Sequence, residues 1–223
     1  MTELVDEPPL GQIMRTLLFA AAKHRYQRRK DVQASPYINH PIALAAILAD
    51  EVGITDSSVI CGALLHDTVE DTETTFDELV ENFGQEIADI VRDVTDDKSL
   101  PKDERKQHQI DHAAAKSEKA RLVKLADKIA NLRDIAKSPP SDWSLERKQQ
   151  YFDWAGQVVN QIRGTNSALE ALFDIAAGAR PDEGRSNSQP SSESHIRSPR
   201  IKDAPLEKYG KSFIVGGVKT PRI

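Results

Sequence analysis

Cysteine is almost missing: Cys61 stands alone in 223 residues, so no disulfide can form within the chain. It lies in the apolar run VICGALL, which predicts a buried, reduced thiol and makes the cytosol the default compartment. Long hydrophobic stretches are missing too. No apolar run approaches the roughly 18 residues that cross a bilayer, and the acidic start MTELVDEPPL lacks the basic flank and apolar core of a signal peptide. No membrane partner is expected. Period-two alternation between turn signals is absent, which argues against a sheet and leaves an all-α class. Hydrophobic residues make up 39% and charged residues 29%, the balance of a soluble domain with a modest core.

An excess of positive charge is lacking where it would matter for nucleic acid. Residues 180–223 carry nine Lys/Arg and five Asp/Glu, which leaves the first 179 residues with 21 basic and 30 acidic groups. A body of net −9 is a poor wrapper of nucleic acid, so no such partner is expected. One local exception is Lys23, Arg25, Arg28, Arg29 and Lys30, five cations in eight residues that suit a small anion.

What is present is helix after helix. Ile13, Met14, Leu17, Leu18 and Ala21 recur at helical spacing in a first amphipathic helix. Pro41 suits the first turn of a second, running to about Val52 with Gly53 behind it. Thr55 or Asp56 caps a third through Val59, Ile60, Ala63 and Leu64, ending near His66-Asp67. Thr75 and Glu78 form a capping box for a short helix that stops at Gly84. Ile87, Ile90, Val91 and Val94 mark a fifth, and an exposed helix follows around residues 102–115. The most apolar helix spans about 118–136, and two more carry Tyr151, Trp154, Val158 and Ile162, then Leu169, Leu172 and Phe173. Beyond Gly178 the Ser-, Pro- and Arg-rich composition cannot build a core, so residues 1–178 are read as one helical domain and 179–223 as a disordered tail.

Four side chains able to bind a metal sit on three of these helices or at their ends: His40, His66, Asp67 and Asp127. A mixed nitrogen and oxygen set suits Mn²⁺, Fe²⁺ or Zn²⁺ better than Ca²⁺. A His-Asp pair alone says little, and a lone Asp in an apolar helix is commonly a hydrogen-bonded structural group. Asp127, however, shares a face with Lys124, Lys128 and Asn131 on a helix otherwise filled with Leu, Ile and Ala. The plain alternative is a solvated stripe. Glu70 and Asp71 follow the His-Asp pair closely; two carboxylates beside a cation would differ in pKa, which suits acid, base and water-orienting work. His108 and His112 stand four apart on one face, yet polar flanks make a solvated helix the better reading.

The order RRKD, PYINHP, ALLHDTVEDT and LVKLADKIANLRD, over about residues 12–177, resembles the HD-domain hydrolases of the RelA/SpoT type, most of all the small stand-alone metazoan SpoT homologues. The resemblance implies an HD-type helical bundle with one Mn²⁺ per chain on His40, His66, Asp67 and Asp127. It implies Glu70 and Asp71 in catalysis, with Arg29, Lys30, Asn131 and Tyr151 against a small-molecule nucleotide. The expected reaction is hydrolysis of guanosine 3′,5′-bis(diphosphate) to GDP and pyrophosphate. Two rivals stand beside it: removal of the 2′-phosphate of NADPH at the same site, and a nucleotide-binding module without turnover.

Overall fold

The computed structural model describes residues 9–182; the expectations for the tail, including SFIVGGV, lie outside them from residue 183 on. Ten α-helices carry the described chain: α1 (Pro9–Lys23), α2 (Asn39–Ala46), α3 (Ser57–Leu65), α4 (Thr68–Asp71), α5 (Phe76–Phe83), α6 (Gln85–Val94), α7 (Lys102–His112), α8 (Glu118–Lys137), α9 (Leu145–Asn160) and α10 (Ser167–Ala177). No strand occurs among the described residues, where one isolated antiparallel bridge pairs Arg28 with Pro36. The architecture is all-α.

The helix starts are fixed by short polar side chains. Asp56 accepts from the Ser58 amide, Thr75 from Glu78, Ser117 from Ala120, Ser144 from Arg147 and Asn166 from Leu169. Each satisfies one orphan amide and contributes about 1 kcal/mol. The second helix ends differently from a plain α-helix: Ile47–Glu51 widens into a π turn before Gly53, whose φ of 75° reverses the chain. Helix α4 is four residues long, too short to show a hydrophobic period, and sequence patterning gives no hint of it.

Two helices organise the core. Helix α3 is buried from Ser58 to Leu65 and packs against α1, α2, α6 and α8. Its one face joins Leu44, Leu48, Leu125, Ile129 and Leu132; the other joins Ala20, Leu79, Ile87 and Val91 around Cys61. Gly62 makes the α3–α6 approach possible, since a Cβ there would lie 2.5 Å from Ile90 Cγ2. Helix α8 runs through the larger cluster and packs against α2, α3, α6, α9 and α10. The two central helices thus carry His66 at the end of one and Asp127 in the middle of the other. After α10, Arg180 pairs with Asp153 at 2.8 Å and Pro181 accepts from Gln149, tying the end of the described chain to α9.

Candidate metal centre

His40 sits in the first turn of α2, where Pro41 has no amide to lose. His66 follows the last residue of α3 and Asp67 precedes the first of α4, so the chain bend between two helices aims both side chains inward. One ligand atom each from His40, His66 and Asp67 lie within 4.8 Å of one another. Asp127 stands next to them, its Oδ1 3.3 Å from His40 Nε2, but outside that mutual set. Its carboxylate is drawn instead to Lys128 Nζ at 3.0 Å and Asn131 Nδ2 at 2.6 Å.

The histidines are arranged for a cation. His66 Nδ1 lies 2.8 Å from the Ala63 carbonyl, a group that only accepts, so this nitrogen carries the proton. His66 Nε2 is buried, has no hydrogen-bond partner, and stands 2.9 Å from Asp67 Oδ2. In the neutral ring a lone pair there faces a carboxylate, an arrangement that needs a metal ion or a proton between them. Without an ion the proton fills that role. Burial opposes the imidazolium, but the Asp67 and Asp127 carboxylates outweigh it and push His66 up to about 9. Burial keeps His40 below its ordinary value, hence neutral, despite its contact with Asp127. Asp67 and Asp127 are held well below the carboxylate range: burial is outweighed by His66 at the first and by Lys128 and His40 at the second. Tyr37 donates to Asp67 Oδ2 at 2.5 Å and orients it.

Helix α4 presents Glu70 and Asp71. Burial, with Asp67 and Asp96 nearby, pushes Glu70 up to about 7. The Asp96 amide donates to Glu70 Oε2 at 3.3 Å, and Lys98 and Arg105 approach Oε1 to 3.9 and 4.0 Å. Lys98 pairs with Asp71 Oδ1 at 2.5 Å. These cations come from the polar stretch before and within α7, and sequence patterning does not reveal their role because their partners lie far back along the chain, on α4.

Two openings meet at the centre. A chamber of about 240 Å³ contains the His40, His66 and Asp67 cluster with Glu70 and Asp71, and extends to Asp96, Lys124 and Trp154. A larger cavity of about 540 Å³ is lined by Arg28, Lys30, Ile135, Trp143 and Pro140. Arg29, Tyr37, His40, Asp71, Asn131 and Tyr151 form walls common to both. Arg29 reaches across to Asp134 at 2.7 Å and to Asn131 at 3.3 Å, while Lys30 is exposed at the rim. Tyr151 stands between the rings of Trp143 and Trp154. All ten residues singled out from sequence lie in these two openings. The stripe beside Asp127 is not solvated: Lys124 and Lys128 are 7% and 3% exposed. His108 and His112 stack on each other on the exposed face of α7. Tyr37 was not singled out, although its place one turn before His40 is the signal that points to it.

Residues 16–152 match the HD domain family. A guanosine-3′,5′-bis(diphosphate) 3′-pyrophosphohydrolase MESH1 of Xenopus tropicalis is 57% identical over 162 residues, 73% of this chain and 90% of that one. The human protein of the same name is 55% identical over 160 residues, covering 72% and 89%. A solved structure of a metazoan orthologue of SpoT, described as hydrolysing ppGpp and playing a role in starvation responses, superposes with a TM-score of 0.75 at 49% identity, covering 78% of this chain and 98% of the other.

Proposed function

The chain belongs to the HD-domain hydrolases, close to the metazoan SpoT-type group, and from that premise we propose that it hydrolyses guanosine 3′,5′-bis(diphosphate) to GDP and pyrophosphate. The observation that carries the reading is the buried, unpartnered Nε2 of His66 facing Asp67 beside His40, a ligand set directed at one point. His40, His66 and Asp67 would hold the ion, with Asp127 beside them as the fourth candidate ligand. Manganese fits the mixed nitrogen and oxygen donors. When bound, the ion supplies Lewis acidity toward water and phosphoryl oxygen. The setting is cytosolic, the default for a chain with one unpaired thiol.

The residues divide the remaining work by position. The cationic rim, Arg28 to Lys30, neutralises the 5′-diphosphate, and the Trp143 side of the large cavity receives the base. Asn131 and Tyr151, on the common walls, hold the ribose where its 3′-phosphate enters the chamber. Glu70, poised near neutrality, takes the proton of the attacking water at its carboxylate. Asp71, fixed by Lys98, lies on the wall where the 3′-oxygen departs.

The test is side-by-side turnover of guanosine 3′,5′-bis(diphosphate) and NADPH with Mn²⁺. Pyrophosphate release from the first at the higher kcat/KM supports the reading. Faster phosphate release from NADPH supports the 2′-phosphatase, and binding of either without release supports the silent module.

A further inference from the structure

Lys124 carries an ammonium on the chamber wall that no hydrogen bond or ion pair fixes. The residue is 7% exposed, and among the described residues its side chain makes no hydrogen bond or ion pair. Burial, helped by the neighbouring charge of Lys128, lowers it to about 8. Lys128, one turn further along α8, shows what a satisfied lysine in the same chamber looks like: it lies 3.0 Å from Asp127 and 4.2 Å from the Trp154 ring centre. Asp96 and Asp127 attract it without reaching ion-pair distance, so a direct contact on this desolvated ammonium is left for an anion that enters the chamber.

The position of Lys124 says what that is. It lines the metal chamber and is absent from the walls of the base-side cavity. A nucleotide whose base fills the large cavity sends its 3′-phosphates through the common walls and past the metal ligands. The group that arrives furthest into the chamber is the outer phosphate of a diphosphate. We propose that Lys124 is the subsite for that outer phosphate, and so makes the chamber selective for a 3′-diphosphate over a phosphate monoester. The inference rests on the guanosine 3′,5′-bis(diphosphate) reading above and deepens it. The outer phosphate is one bridge removed from the P–O3′ bond that breaks, so this contact acts mainly through binding, in ground state and transition state alike.

The test compares Lys124→Met with the wild-type full chain on guanosine 3′,5′-bis(diphosphate) and on guanosine 5′-diphosphate 3′-monophosphate. The ratio of their kcat/KM values should fall about 10- to 100-fold, the scale of one charge-assisted hydrogen bond, through a raised KM for the diphosphate. The melting temperature of the variant should hold or rise, because a desolvated charge held by no hydrogen bond or ion pair has been removed. An unaltered ratio, or equal losses on both nucleotides with a lowered melting temperature, would overturn the assignment. Calorimetric binding of the two nucleotides separates this from failure of the activity itself. Should the wild type turn over neither, a preference for the diphosphate that disappears in Lys124→Met still supports the subsite, and equal affinities refute it.

Discussion

Metal binding should release a proton, and His66 is its source. Its Nδ1 is occupied by the Ala63 carbonyl, so the ion and a proton compete for Nε2. With His66 raised to about 9, nearly every metal-free molecule holds that proton at pH 7. His40 is lowered and already neutral, and Asp67 and Asp127 are already ionised, so none of them contributes. The apparent affinity for Mn²⁺ at pH 7 is then about 100-fold below its high-pH limit and rises about tenfold per pH unit until about pH 9. Calorimetry in two buffers of different ionisation enthalpy should count about one proton released per ion at pH 7. A stability consequence follows from the same pair. A folded value above the ordinary 6.5 stabilises the metal-free protein fully below pH 6.5, by on the order of 3 kcal/mol, and the benefit disappears as pH rises through 9. The metal-free melting temperature should fall over that window, and saturating Mn²⁺ should abolish the fall. No proton release, with an affinity flat from pH 7 to 9, would refute the argument.

Glu70→Gln and Asp71→Asn should keep metal and nucleotide affinity while kcat drops by about two to four orders of magnitude, measured by steady-state turnover and binding. In the wild type kcat should rise with pH through a limb at about 7 or lower, since Glu70 acts ionised and a bound cation only helps it ionise; Glu70→Gln should lack that limb. Arg29→Ala and Lys30→Ala should mainly raise KM, and a collapsed kcat at unchanged KM would contradict their placement on the binding walls. Gly62→Ala should destabilise by about 1–3 kcal/mol in denaturant melts, because the added Cβ meets Ile90 and α6 must shift.

The helices and the residues of the His40, His66 and Asp67 cluster were readable because both leave local marks. Thr75 caps where its spacing says, Asp56 is the one of the two candidates, Thr55 and Asp56, that caps α3, Gly84 ends α5, and the carboxylate and lysines on the most apolar helix announce a polar interior. Other parts of the site are long-range. Lys98 reaches Asp71 from 27 residues away, and Tyr37 reaches Asp67 from 30. Nothing local sets such pairings; they need the residues before α2 and the segment between α6 and α7 to be brought to either end of α4. The charge state of Lys124 and Lys128 was equally hidden, because a lysine on a helix stripe reads the same whether the stripe faces water or a chamber. Only the three-dimensional contacts show one lysine paired and the other not.

In the proposed reaction water attacks phosphorus at an ion-dependent site and the bond from phosphorus to the ribose 3′-oxygen breaks. Turnover in water labelled with oxygen-18 tests it most directly. Label should appear in pyrophosphate alone, with GDP unlabelled, and no products should form once the ion is chelated. Label in GDP, or undiminished product in chelator, would contradict it.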